Sequence, residues 1–340
     1  MNEDVKQSPI VVSGTGYCVV SRPHIQVSDM LELLGLGVLM SDSLSELDRW
    51  LINVGLRIPK NFKFMGLQDK MAVFAAARAL LAAKLIRAND VCGFKHSNPS
   101  MRQACGLYLA VGYIPFEYQE IAELCENSQS DGQFSMQQFS DQGVSEVNPL
   151  LTFRCLPNMP AFHVSMNFEL QGPYMVGYPD AGQCYVALSR AIQDLQNGIV
   201  DIALIGGVAD QNNFLVRHQL QKLGLASMPL DCAAFMILER NENAKRRDVN
   251  AGLELVATQC EYNAQDLLKR IPEYKERVRI NGNSIDIGSQ VYAGPASLAL
   301  SIAMIDEQSD FNGEFEHSIN SSGNIAAVSS WQKVRRDFDV

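Results

Sequence analysis

The sequence lacks a CxxC pair although it holds eight cysteines, so neither a zinc knuckle nor a thioredoxin-type redox site is supported. It also lacks any dense block of Lys or Arg. With a formal net charge of −10, that argues against a binder of nucleic acid or of an anionic membrane surface. Long apolar runs are missing too. The longest, near Ala72 to Leu85, is interrupted by Arg78 and Lys84 and cannot span a membrane. The opening MNEDVKQSP is polar and acidic, unlike a signal peptide. Glycine (24) and proline (13) carry no collagen-like or linker-like bias. What is present is a 340-residue chain that is 47% hydrophobic, enough for one large domain or two fused ones with a core that needs no staples. Cys155, Cys184 and Cys232 lie in apolar stretches, where buried reduced thiols are expected, which implies a cytoplasmic protein. No metal site and no cofactor is expected.

A strand is predicted from Ile10, with Gly14 and Gly16 inside it. A Gly-x-Gly after a strand can announce a dinucleotide site, but the third glycine and the following helix are missing. From Gln68 to Arg87 the pattern is helical, with Met71, Phe74, Leu81 and Leu85 on one face and alanines filling the rest. Residues 126–150 are polar and read as a surface excursion. A helix is expected from Pro157 to Leu170, then a Gly172-Pro173 turn and a short strand from Tyr174 to Tyr178. A second helix runs to Gln196, with Ala181, Tyr185, Leu188, Ile192 and Leu195 on its buried face and Asn197-Gly198 at its end. Ile199 to Ile205 is a nearly unbroken apolar strand, as in a sheet covered on both sides. This strand-turn-helix-strand order is an α/β signature. Ala233 to Leu238 and Leu253 to Ala257 are further strands, and residues 259–280 are ambiguous. Pro295 to Ile305 is a helix with proline in its first turn. Ser318 to Val328 is two strands around a Ser-Ser-Gly-Asn turn.

The stretch CLPNMPAFHVSMNFELQGP (Cys155 to Pro173) resembles the Pro-Asn-Met…His…Gly-Pro segment of the β-ketoacyl synthases of the thiolase superfamily. IVDIALIGG (199–207) is similar to the family's D-x-x-x-x-G-G strand, and AAFMILERNENA (233–244) to its G-A-A-x-x-x-L-E…A segment. Ile10 to Gly16, Gly288 to Ala303 and Asn320 to Val328 resemble its opening strand, the region after its second histidine and its closing glycine-rich loop. The resemblance covers most of the chain and is densest over 155–207. It implies a thiolase fold, five-layered αβαβα with two related halves, drawn here at 1–215 and 216–340, the second shortened.

The departures from the family pattern bear on activity. Synthases place a nucleophilic cysteine at the N-terminus of the buried helix, where the helix dipole lowers its pKa. Eight residues after Gly172-Pro173 that position is Ala181, which cannot carry an acyl group. Cys184 lies three residues on, roughly 300° round the helix and expected almost a full turn inside it, where its N–H is committed to the helix ladder. The two catalytic histidines of the family's C-terminal half have no counterpart between His218 and His317. The His position before the Pro295 helix falls in Asp286-Ile287-Gly288-Ser289, and 262–285 holds none. The closing loop reads Ser321-Ser322-Gly323-Asn324. His163 belongs to the motif that is structural in the family and near the dimer seam, and its plain reading is a satisfied, packed histidine. The chain is also short, with losses around 225–231 and 258–288.

The retained segments are those that pack the core and form the family's dimer. The resemblance therefore implies a chain length factor, a non-catalytic partner of an active ketosynthase α in type II polyketide assembly that shapes the acyl-chain tunnel. Obligate interfaces of that kind bury on the order of 2,000–5,000 Å². Candidate tunnel and interface residues are Tyr113, Phe116 and Tyr118 in GYIPFEY, together with Met159, Phe162 and His163; for each, ordinary core packing is the competing reading. Because carrier proteins are acidic and so is this chain, the acyl carrier protein is expected to dock through the partner. Aromatic-type factors commonly carry glutamine where Ala181 stands, which points to a divergent, aryl-polyene-like branch. Two other readings stand beside this one: a non-enzymatic homodimer that binds acyl chains or regulates, and an acyltransferase or hydrolase using Cys184.

Overall fold

The structure, a computed structural model, describes residues 8–20, 43–89, 93–115, 118–147, 149–154, 156–222, 224, 228–262, 275–288, 291–308, 311–321 and 325–334. Ten of its strands form one continuous sheet around which the main helices are arranged. In chain order the elements that position the site are β1 (Ile10–Val20), α1 (Leu67–Ala82), β2 (Cys105–Val111), α2 (Met159–Phe168), β3 (Tyr174–Gly177), α3 (Gln183–Gln196), β4 (Ile202–Ala209), β5 (Asp231–Arg240), β6 (Leu253–Tyr262), β7 (Lys275–Ile280), β8 (Asn283–Asp286), α4 (Ser297–Glu307), β9 (Glu314–Asn320) and β10 (Ile325–Lys333). The strand order is β8-β7-β9-β10-β6-β1-β5-β4-β2-β3.

The sheet divides naturally into two sets of five strands. In the first, β2 runs parallel to β3 and β4, while β5 is antiparallel to β4 and β1. The second set is antiparallel throughout. The two sets meet where β1 pairs with β6 over Val11↔Glu254 and Val12↔Leu253, with register shifts at 12/14 and 255/257 beside the junction. Such irregularities let a sheet bend.

Strand periodicity explains the layers. Leu107, Leu109 and Val111 of β2 pack into one core with α1 and α2, whereas Tyr108 and Ala110 pack into a second core with α3 and α4. That second core also takes Val278, Phe315, Ile319, Ile325 and Trp331 from the second strand set, so α3 and α4 are sandwiched between the two sets. Four of the five expected layers are thereby found among the described residues. The outward face of the second set carries Lys275, Arg277, Arg279, Glu314 and Glu316, and Arg279 reaches Glu316 at 3.5 Å. A sheet with such a face can stand against water without a helix over it.

The Gly-x-Gly of β1 has a packing role. A Cβ on Gly14 would lie 2.6 Å from the backbone of Ala79 and Ala83, and one on Gly16 would lie closer still to that of Ala75 and Ala79. The helix α1 therefore lies directly on β1, through its alanines. This corrects the expected face: the helix ends at Ala82, its alanines from Ala72 to Ala79 are buried, and Leu81 points outward. Only small residues permit so close an approach, and Leu81 goes where there is room. Elsewhere the boundaries shift by up to five residues: the helix expected over 157–170 spans Met159–Phe168, the strand expected over 199–205 spans Ile202–Ala209, and the one expected over 253–257 runs on to Tyr262. The excursion after residue 126 consists of short exposed elements, as its polarity suggested. No helix among the described residues is long and apolar enough to cross a membrane.

Candidate functional site

The site is built where β3 hands over to α3. Tyr178 joins Pro179 through a cis peptide bond, then Asp180, Ala181 and Gly182 lead into the helix, whose N-cap is Gly182. Ala181 is buried, and its methyl offers no nucleophilic atom. Beside it, the Gly182 N–H donates to Asp180 Oδ1 at 2.7 Å. A helix N-terminus attracts anions, and here one of its donors is engaged by the chain's own carboxylate. From above, Ser321 and Ile325 close over the turn, so that a Cβ on Gly182 would lie 2.6 Å from Ile325 Cβ.

Cys184 is the second residue of α3, in its first turn rather than almost a full turn inside, which corrects the expected depth. Its environment argues against reactivity for a different reason. The thiol is buried and donates to the Ala181 carbonyl at 3.1 Å. Burial pushes its pKa up, and the Glu276 and Asp180 carboxylates add to the rise. A reactive thiolate needs the opposite surroundings. Cys232 is likewise buried with its thiol pushed up by burial. Cys155 lies outside the described residues.

Of the candidate tunnel residues, Tyr113 is the one brought to this turn. Its ring meets Tyr178 edge-on at 6.5 Å, and its phenol is pushed up by burial and then by the nearby Asp180. Its carbonyl accepts from Gln68 Nε2 at 2.8 Å, and Gln68 lies in the first turn of α1 beside Asp69, which faces His163. Met159 is buried at the start of α2. Phe162 on the same helix is about half exposed (49%) and packs edge-on against the His163 ring at 5.2 Å. Tyr118 stands apart, 64% exposed on the helix Tyr118–Glu126 and against Phe214. Phe116 lies outside the described residues.

His163 is packed, but it is not satisfied. It is 1% exposed, and neither ring nitrogen has a hydrogen-bond partner among the described residues. Asp69 Oδ2 is 3.9 Å from Nε2, too far for a hydrogen bond, and receives the Gly66 N–H at 2.8 Å. Burial lowers the His163 pKa to about 4, so the ring is neutral near pH 7 and the contact with Asp69 is no ion pair.

One buried polar cluster escaped the sequence reading. On the core side of the second strand set, His317 Nε2 lies 2.9 Å from Glu276 Oε1 and its Nδ1 lies 2.9 Å from the Tyr185 hydroxyl. Tyr185 donates to the His317 carbonyl at 2.7 Å and lies 3.1 Å from Ser329 Oγ, which accepts from Trp331 Nε1 at 2.9 Å. All five residues are essentially inaccessible. The cluster ties α3, one residue past Cys184, to three strands of the second set. A signal was available: in KERVRI and EFEHSIN the period-two phase that buries Val278, Phe315 and Ile319 also buries Glu276 and His317.

Residues 51–236 match the family model described as β-ketoacyl synthase, N-terminal domain. No curated protein sequence matches the chain. Among solved structures, it is similar to the AntDE ketosynthase in complex with AntF, its type II polyketide synthase acyl carrier protein, with a TM-score of 0.65 at 12% identity over 96% of this chain and 100% of that one. A β-ketoacyl synthase from Burkholderia phymatum gives a TM-score of 0.62 at 14% identity, over 96% of this chain and 100% of that one. The ishigamide ketosynthase/chain length factor gives 0.52 at 18% identity, over 76% of this chain and 65% of the other. At these identities the likeness is one of fold.

Proposed function

Because this chain belongs to the β-ketoacyl synthase family, we propose that it acts as a non-catalytic chain length factor, paired with an active ketosynthase in type II polyketide elongation. The observation that carries the reading is at the head of α3. At the position where the resemblance puts the family's nucleophile stands Ala181, which is buried, and the neighbouring Gly182 N–H is taken by Asp180. An acyl group transferred from a thioester has no atom to accept it. Tyr113 and Tyr178 stand at the same turn, where bulky side chains can limit the length of a chain held by the partner.

Pairing is supported by the free flank of the first strand set. The strand β3 is the edge strand, and its Tyr174 is 70% exposed. An exposed edge presents unpaired N–H and C=O groups to a second chain. The acyl carrier protein then docks through the partner, the product is an aryl polyene or another highly reduced polyene, and the complex works in the cytoplasm. The division into two thiolase-like halves belongs to the same proposal; because β5 (Asp231–Arg240) joins the first strand set, the boundary falls beyond 240 rather than at 215/216.

The test of the non-catalytic role is incubation with acyl-thioesters followed by mass spectrometry of the intact chain. No stable adduct is expected; a stoichiometric one on Cys184 contradicts the reading. For the tunnel, Phe162→Ala in the assembled complex is expected to lengthen the product or shift its distribution, as is Phe116→Ala. An unchanged product profile from a correctly assembled complex removes those residues from the tunnel.

A further inference from the structure

The turn that holds Ala181 carries a negative charge of its own. Asp180 stands two residues ahead of the Gly182 N-cap. Its carboxylate receives the Gly182 N–H at 2.7 Å, and its backbone carbonyl receives the Gln183 N–H at 3.1 Å. A helix N-terminus ordinarily draws anions, because its first N–H groups lack partners within the helix. Here a single residue engages two of those donors.

Three groups packed round the turn, from three parts of the chain, sense that charge. The Tyr113 phenol follows β2, the Cys184 thiol sits in the first turn of α3, and the Tyr292 phenol lies ahead of α4. Burial is the main cause of the upward shift of each, and the Asp180 carboxylate raises all three further. The buried Glu276 carboxylate adds to the rise at Cys184 and Tyr292. Each of these groups turns anionic when it loses its proton, so each reports that a second negative charge is opposed here. The Ser321 and Ile325 side chains close over Gly182 and keep the turn from open water, where that opposition would be weakened.

We propose that Asp180 makes the vacated site selective by charge: it refuses acyl groups that carry a carboxylate and leaves them to the partner's site. The inference rests on the proposed pairing and deepens it, by naming the group that sorts acyl thioesters between the two chains.

A thiol placed at the vacated position reads the charge. In the co-expressed complex, Ala181→Cys is alkylated with neutral iodoacetamide and with iodoacetate, which carries the carboxylate. In both reactions the thiolate displaces iodide, so the thiolate fraction cancels from the ratio of the two rates. Peptide mass spectrometry separates this thiol from those of the partner, and free cysteine supplies the ratio without a protein. Expected is an iodoacetate-to-iodoacetamide ratio about fivefold or more below that of free cysteine, recovering by about the same factor in Ala181→Cys/Asp180→Asn. Asp180→Ser, whose hydroxyl can also accept from the Gly182 N–H, repeats the comparison where the asparagine variant does not assemble. The native Cys184 thiol, bonded to the Ala181 carbonyl, supplies the same ratio where the introduced thiol does not assemble. Equal ratios with and without Asp180 overturn the proposal. So does a thiol that neither reagent reaches in any variant, because the turn is then closed by packing and not by charge. A chain that forms no complex is recognised by chromatography before any alkylation, and it removes the pairing together with this inference.

Discussion

Glu276→Ala is expected to lower the unfolding free energy by about 3–5 kcal/mol, the range for removing one partner of a buried, hydrogen-bonded pair. Glu276 is 1% exposed and faces His317 Nε2 at 2.9 Å. Its loss leaves an imidazole nitrogen in a place that water does not reach, and an unfilled space where the carboxylate stood. The neutral isostere separates the two contributions. Glu276→Gln keeps the volume and an acceptor oxygen and is expected to lose only about 1–3 kcal/mol. Because His317 also meets Tyr185, the effect should reach α3: in a double-mutant cycle, Glu276→Ala and Tyr185→Phe are expected to couple rather than add. Urea unfolding monitored by circular dichroism measures all four corners. A loss below about 1 kcal/mol in Glu276→Ala contradicts the view that this cluster holds the second strand set onto the central helices.

Acid is the second large lever. The unfolded chain protonates His163 near its ordinary value of 6.5, whereas in the fold burial lowers that value to about 4. Between those two points the unfolded state holds a proton that the folded state refuses, so stability falls as the pH drops from 6.5 towards 4 and is fully present above that window. A shift of about 2.5 units corresponds to about 3 kcal/mol by pH 4. Other carboxylates titrate in the same range, so the quantity to measure is the difference between the wild type and His163→Leu. The variant is expected to lose about 3 kcal/mol less than the wild type on going from pH 7 to 4. Parallel pH profiles for the two proteins show that the ring is accommodated as its cation, with Asp69 moving in.

Much of this arrangement was legible in the order of residues. The face Ala181–Tyr185–Leu188–Ile192–Leu195 is buried throughout, because a helix between two sheet layers imposes its period on the sequence. Ala181, read as the first residue of that face, instead stands just ahead of the Gly182 N-cap, outside the helix. What did not show was whatever depends on partners distant in sequence. That the alanines of α1 lie directly on Gly14 and Gly16, some sixty residues earlier, is a contact that nothing within the helix reports. The Asp180 cap on Gly182 is local, but an Asp before a helix is too common to single out. Glu276 and His317 are 41 residues apart and were hidden by chemistry: a charged residue in an apolar phase looks like a break in the pattern until its partner is seen across the ladder.

The central claim is that this chain completes a ketosynthase rather than acting alone, and co-expression with each ketosynthase encoded beside it tests that most directly. Size-exclusion chromatography with light scattering then reads the stoichiometry. The account predicts a one-to-one complex, with this chain unstable or insoluble when made by itself. A stable, well-behaved homodimer that ignores every ketosynthase would contradict the pairing and leave only the fold.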